Sequence, residues 1–203
     1  MGEAVRAVVF DIGGVLLEWD PRLVYGELVA DSGELAWFLS EVCTPEWNST
    51  LDAGLPFDVA CAELVARYPA YTALVEAWRR QDDMIAGEIT GTAALVGALR
   101  DLGMPLYLLT NMPADVYAAR RRRYAVLRQF DGAVVSGEEG VLKPSAEIFA
   151  RLVARFDLVP AETLFVDDAQ ANVRGAEAAG LRAHRFVGAP ALAAWLRSQG
   201  LDV

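Results

Sequence analysis

The chain has 203 residues, with 28 acidic and 18 basic side chains and a net charge of −10. At roughly 150 residues per domain this is one full domain with residues to spare, able to bury about 70% of its unfolded surface without a disulfide or metal staple. The charge argues against nucleic acid or an anionic membrane as partner, since both would repel it.

With 54% hydrophobic and 23% charged residues the composition is globular rather than disordered. No apolar stretch is long enough to span a bilayer. Asp11 cuts the first apolar run too short for a secretory signal. Cys43 and Cys61 have no CxxC spacing, which fits free thiols in a reducing compartment, so a cytoplasmic protein is expected.

In chain order, Val5 to Phe10 is a continuous apolar run that stops at Asp11, Gly13 and Gly14. Continuous rather than alternating hydrophobicity marks a strand buried on both faces. From Asp20 to Gly87 the pattern is helical instead: Leu23–Val29, Leu35–Val42, Val59–Tyr68 and Tyr71–Met84, with Trp37, Trp47 and Trp78 inside the interval and Trp19 at its edge. A strand–helix–strand crossover needs only about 30 residues in all, so this surplus reads as a helical unit inserted after the first strand.

A helix follows over Thr92–Leu102, closed by Gly103. Apolar runs then recur at Leu106–Leu109, ending in Thr110, at Ala133–Val135, ending in Ser136, and at Leu164–Val166, ending in Asp167. Between them, Pro144 is read as first-turn proline of a helix that carries Ile148, Phe149, Leu152 and Val153. Ala171–Ala179 reads as a helix stopped by Gly180, followed by a strand at Leu181–Val187 and a helix at Ala191–Ser198. Alternating strands and helices predict an α/β fold with a parallel sheet covered on both faces.

In such sheets ligands bind beyond the carboxyl ends of the strands. The residues there are Asp11, Thr110 with Asn111, and Asp167 with Asp168, and Lys143 lies on a following loop. Carboxylate oxygens suit Mg²⁺, which takes a few carboxylates plus water and substrate phosphate. A hydroxyl and an ammonium can hold the remaining phosphate oxygens. Taken singly, Asp11 or the Asp167–Asp168 pair could equally be a turn or a helix cap.

As a set, these residues resemble the haloacid dehalogenase (HAD) superfamily. Phe10-Asp11-Ile12-Gly13-Gly14-Val15-Leu16 is similar to its first motif and Leu108-Leu109-Thr110-Asn111 to its second. Gly140-Val141-Leu142-Lys143-Pro144 resembles the third, and Phe165-Val166-Asp167-Asp168 with Asn172 and Gly175-Ala176 the fourth. The Gly-Gly after Asp-Ile and the paired aspartates look most like the glucose-1-phosphatase-like branch. The resemblance implies a Rossmann-like core over residues 1–19 and 88–203 and a helical cap over residues 20–87.

It also implies a Mg²⁺-dependent phosphatase of a small phosphomonoester such as a sugar phosphate. Asp11 is then the nucleophile that forms an aspartyl-phosphate. Mg²⁺ lies on Asp11, the backbone carbonyl of Gly13, and Asp168. Thr110 and the Asn111 amide hold phosphoryl oxygens, while Lys143 neutralises phosphate charge and orients Asp11. Asp167 is expected to support the ion from behind, and Asn172 to hydrogen-bond the loop and Lys143.

There is one departure. Phosphatases of this superfamily carry a second Asp two residues after the nucleophile, as general acid and then base, and here that position is Gly13. The departure keeps two alternatives open: a carbon–halogen hydrolase, or a binding member without turnover. Outside the motifs, Arg120–Arg123 reads as a solvated helix face. His184 is structural, and the insert's tryptophans are read as its core, with one or two at the substrate entrance.

Overall fold

The computed structural model describes residues 4–203. Five strands, β1 (Ala7–Phe10), β4 (Leu106–Thr110), β5 (Gly132–Val135), β6 (Thr163–Asp167) and β7 (Arg182–Arg185), form one sheet in the order β5-β4-β1-β6-β7. Every pairing in it is parallel, so all five carboxyl ends lie on one edge. Two further strands, β2 (Leu17–Trp19) and β3 (Ile85–Glu88), pair antiparallel with each other, Leu17 opposite Glu88.

The helices in chain order are α1 (Arg22–Leu28), α2 (Ser32–Trp37), α3 (Pro45–Asp52), α4 (Phe57–Arg67), α5 (Thr72–Ala77), α6 (Thr90–Asp101), α7 (Ala114–Arg123), α8 (Ser136–Glu139), α9 (Ala146–Arg155), α10 (Gln170–Ala178) and α11 (Ala189–Ser198). None is long and apolar enough to cross a membrane.

The α/β expectation holds, and β1 shows why its sequence is continuously apolar. Val8 and Phe10 point into a cluster with Leu95, Val96 and Leu99 of α6 and with Leu192 and Leu196 of α11. Val9, between them, points to the opposite face among Ile148, Phe149 and Leu152 of α9 and Ala176 of α10. All three β1 residues are fully buried.

The inserted helices bury a separate cluster, built on Tyr25, Phe38, Trp47, Leu64, Val75 and Trp78. The chain enters this unit through β2 and leaves it through β3. Tyr25 and Trp78 pack at 5.9 Å and Trp47 meets Trp78 edge-on at 5.4 Å. Trp47 and Trp78 lie in this core, while Trp37 and Trp19 stay about 40% exposed.

Three local expectations need correction. The Tyr71–Met84 pattern is not one helix: α5 is short and flanked by 3₁₀ turns at Pro69–Tyr71 and Trp78–Arg80. The chain has to turn there, because the Asp20 N–H already bonds the Met84 carbonyl as β2–β3 pairing begins. Pro144 precedes the helix rather than opening it, since Ser145 is the N-cap and its side chain accepts from the Glu147 N–H. Helix α3 was not anticipated, although Thr44 caps it, Pro45 opens it and Glu46 lies in its first turn, a standard start signal.

Candidate active site

Asp11 follows β1 directly, and its own N–H extends the β1–β6 ladder to the Val166 carbonyl. Behind it the chain curls tightly: the N–H groups of Leu16 and Leu17 both bond the Ile12 carbonyl. Gly14 adopts φ +69°, and a Cβ there would lie 2.5 Å from Asp168 Oδ2. Glycine at 14 is therefore what lets the Asp168 carboxylate approach this loop. A Cβ at Gly13, by contrast, would meet no atom within 4 Å.

Lys143 is the hub. Its Nζ donates to Asp11 Oδ1 at 2.8 Å, to Asp167 Oδ2 at 2.7 Å and to the Leu109 carbonyl at 2.9 Å. The ammonium is fully enclosed, so all three of its donors are needed and used. Asn111 ties the lysine's loop to β4 in both directions, giving its Nδ2 to the Lys143 carbonyl and taking the Lys143 N–H on Oδ1. Thr110, at the end of β4, is buried beside them.

The two neighbouring aspartates differ sharply. Asp167 has no exposed surface, and both of its oxygens are taken: Oδ1 by the Ala169 N–H, Oδ2 by Lys143, and both by Asn172 Nδ2 at 3.0 and 3.1 Å. Asp168 is exposed and faces the crevice. Asn172 was expected on the loop and on Lys143. It bonds Asp167 of that loop, but not Lys143, whose three N–H donors are already taken by Asp11, Asp167 and the Leu109 carbonyl.

Asp11, Asp167 and Asp168 each offer a carboxylate oxygen, and these oxygens lie within 4.8 Å of one another. Burial drives the Asp11 carboxyl up to about 7; Lys143 pulls it down and Asp167 pushes it up. Burial disfavours the Lys143 charge too, but Asp11 and Asp167 outweigh that and raise its pKa. Asp168 is raised by burial and by Asp167. An acidic cluster of hard oxygen donors suits a divalent cation such as Mg²⁺.

A crevice of about 240 Å³ opens over these groups. Asp11, Gly13, Thr110, Asn111, Lys143, Asp168 and Asn172 all line it, and Asp167 lies behind. The structure thus brings together every residue that the motifs single out.

Trp19 reaches the crevice, where one or two of the tryptophans were expected. The structure also adds residues that the sequence reading missed: Asn48, Asp52 and Gln81 reach the crevice from the insert, and Arg120 reaches it from α7. Arg120 corrects the solvated-face reading: it is 4% exposed, with Nε 3.4 Å from Asp82 and a bond to the Gln81 carbonyl. Four consecutive arginines at about 100° per residue sample most directions around a helix, so one of them had to face inward. Arg121, Arg122 and Arg123 do remain exposed.

A larger cavity of about 540 Å³ adjoins the crevice, sharing Gln81 and Pro113 with it and walled by Leu51, Leu55, Phe57 and Val116. His184 lies away from the crevice, in β7 opposite Val166, its ring stacked on Trp195 at 4.7 Å.

A parallel sheet with acidic residues and a buried lysine at its carboxyl edge, roofed by a helical insert, marks an α/β hydrolytic enzyme. The chain belongs to the haloacid dehalogenase-like hydrolases, whose family model matches residues 5–180. It is 28% identical over 179 residues to the sesquiterpene phosphatase astK of Aspergillus oryzae, covering 87% of each chain. Among solved structures it is similar to a HAD-like family hydrolase from Porphyromonas gingivalis, with 25% identity and a TM-score of 0.74 over 96% of this chain and 99% of that one. It also shares the fold of a HAD family enzyme from Bacteroides thetaiotaomicron in complex with magnesium and inorganic phosphate, at 19% identity and a TM-score of 0.69 over 91% and 96% of the two chains.

Proposed function

We propose that the chain is a Mg²⁺-dependent phosphomonoesterase that works through an aspartyl-phosphate on Asp11. The observation that carries this reading is the buried Lys143 bridge between Asp11 and Asp167, with the carboxylate of Asp168 in the same acidic cluster. Lys143 and the Ile12 N–H hold Asp11 Oδ1, which fixes the carboxylate and leaves Oδ2 to attack phosphorus. Splitting one displacement into two in this way lowers each barrier.

Thr110 and the Asn111 N–H are placed to hold the transferred phosphoryl oxygens, and Lys143 to balance their charge, which is usually the largest catalytic contribution. Asp11, the Gly13 carbonyl and Asp168 would hold the Mg²⁺, which supplies further charge neutralisation at the phosphoryl group. Asp167 and Asn172 position Lys143 rather than touch substrate. The Bacteroides relative's complex with magnesium and phosphate, and the phosphatase activity named for the Aspergillus relative, support this assignment. The insert over residues 20–87 is its cap. The two buried free cysteines favour a reducing compartment such as the cytoplasm.

The substrate is a small phosphomonoester. A sugar phosphate is the expectation from the sequence. The cavity beside the crevice is lined by apolar Leu51, Leu55, Phe57 and Val116 together with Arg79, Gln81, Asp82 and Asp115, so it offers partners to hydroxyl groups as well as an apolar wall. The sesquiterpene phosphatase likeness adds a terpenyl phosphate as a second candidate.

The test is a panel of sugar, nucleotide and terpenyl monophosphates and 2-haloacids, each with and without Mg²⁺. Phosphate release that requires Mg²⁺ is the expected result. Metal-independent halide release without phosphatase activity would overturn the reading.

A further inference from the structure

The site as described lacks a proton donor for the leaving group: the three Lys143 N–H groups are engaged, and Gly13 stands where the superfamily resemblance implies an acid. The cap supplies a carboxyl to the same crevice. Asp52, the last residue of α3, lines the crevice together with Asp11 and Thr110.

Its position is fixed from both sides. The Ser136 hydroxyl, from the carboxyl end of the sheet, donates to the Asp52 backbone carbonyl and accepts the Met112 N–H, so α3 is pinned to the loop that follows Thr110. On the cap side, Trp78 Nε1 donates to Asn48 Oδ1, and Asn48 Nδ2 in turn donates to Asp52 Oδ2 at 2.9 Å. An amide donor on Oδ2 makes that oxygen an acceptor and leaves Oδ1 to carry a proton.

Resting on the phosphatase reading above, we propose that Asp52 is the general acid and base of this site, a carboxyl delivered by the cap in place of the acid missing at Gly13. In the first half-reaction Asp11 Oδ2 bonds to phosphorus, the P–O bond to the alcohol breaks, and the Asp52 proton passes to the departing alkoxide oxygen. In the second, water attacks the phosphoryl group, the bond to Asp11 breaks, and the water proton goes to Asp52. Inorganic phosphate leaves and both carboxyls return to their starting states.

The surroundings suit that cycle. The C-terminal end of a helix disfavours a negative charge. Burial pushes the Asp52 carboxyl up to about 7, Arg120 and Lys143 pull against this and Asp11 adds to it. A group poised near neutrality can both give and take a proton at the pH of the cell.

The experiment compares Asp52→Asn with the natural protein on an alkyl phosphate and on p-nitrophenyl phosphate, with Mg²⁺ present. The amide keeps the shape and accepts from Asn48 but carries no acid. Alkyl-phosphate turnover should fall about 10²- to 10⁴-fold, while the first-turnover burst of nitrophenol, which leaves without a proton, changes by less than about tenfold. Adding Gly13→Asp to Asp52→Asn should restore much of the alkyl-phosphate rate, because the structure has open space for a side chain at Gly13. Equal losses on both leaving groups, or no loss, overturn the proposal.

Should Asp52→Asn fail to fold, Asp52→Ser, which removes the carboxyl but keeps an oxygen on the side chain, is compared on the same two esters. A loss of about 10²-fold or more confined to the alkyl phosphate supports the proposal, and any smaller or equal loss overturns it. Asp11→Asn, run in parallel, separates the two claims. If it is inactive while Asp52→Asn is fully active, only the Asp52 assignment falls. If the natural protein releases phosphate from neither class of ester, both fall together.

Discussion

The Rossmann-like core and the helical insert hold their charged groups in opposite ways. In the core, Lys143, Asp11 and Asp167 are enclosed and bonded to one another, so each charge depends on its neighbours. In the insert, Arg79 with Asp58 and Glu76, and Arg80 with Asp83 and Glu27, pair in the open with 42–82% of each side chain exposed. Exposed pairs gain little over their hydration, whereas a buried charge stripped of its partner is costly. The core therefore keeps its reacting atoms fixed at the expense of tolerance to substitution. The insert can change its surface freely, and that suits the cap proposed for it.

The largest effect expected from this contrast is chemical. Asp11→Asn should leave the circular dichroism unchanged and cut kcat by at least about 10⁴-fold, the scale of loss when a covalent nucleophile is removed. Retained turnover would mean that the carboxylate Lys143 fixes at the end of β1 does no chemistry.

Stability follows. Lys143→Ala leaves Asp11 and Asp167 buried without their cation, and breaking such a bridge costs about 3–5 kcal/mol, readable in a urea titration. Arg79→Ala, which breaks two ion pairs of the insert at once, should leave the midpoint where it was. Equal midpoint shifts for the two variants would erase the distinction between core and insert.

The metal requirement sharpens the contrast within the core itself. Asp168→Ala, at the exposed carboxylate over the crevice, should raise the Mg²⁺ concentration for half-maximal activity steeply. Asp167→Asn should raise it by about 10- to 100-fold, the usual cost of losing a group that supports a metal ligand. The reverse order would mean that the two neighbours have exchanged roles.

The same contrast explains what could be read from the sequence. Residues at strand ends announce themselves, because a buried strand is a continuous apolar run and the polar residue that stops it, Asp11, Thr110 or Asp167, is conspicuous. The α/β alternation and the place of the insert follow from the same runs. Asp52 and Arg120 had no such signal. Asp52 reaches the crevice only because Ser136, 84 positions along the chain, grips its carbonyl, and no local periodicity encodes that contact. Arg120 is hidden among identical neighbours, and the inward one is known only once the helix has docked. β2 and β3 are strands of three and four residues whose pairing spans the whole insert, too short to show a period. Helix α3 is different: Thr44-Pro45-Glu46 is a legible start that the apolar pattern alone does not reveal.

The smallest expected effect tests a place where the core departs from its own rule. His184 Nε2 is buried without a hydrogen-bond partner among the described residues, while the ring stacks on Trp195. Burial lowers its pKa from the ordinary value of 6.5, so the folded protein takes up a proton there less readily than the unfolded chain. As pH falls below about 6.5 the unfolded state binds more protons at this residue, and stability is lost in that direction and regained as pH rises. Asp11 and Asp52, raised by burial, act with the opposite sign in an overlapping window, so the natural protein alone does not isolate the effect. A difference does. His184→Phe keeps a ring against Trp195 and removes the titration, while the two aspartates contribute equally to both proteins. The variant's stability relative to the natural protein should be constant above pH 7 and grow steadily as pH falls towards 5, measured by denaturant midpoints at each pH. A flat difference would show that the imidazole finds a hydrogen-bond partner in solution and is not left unpaired.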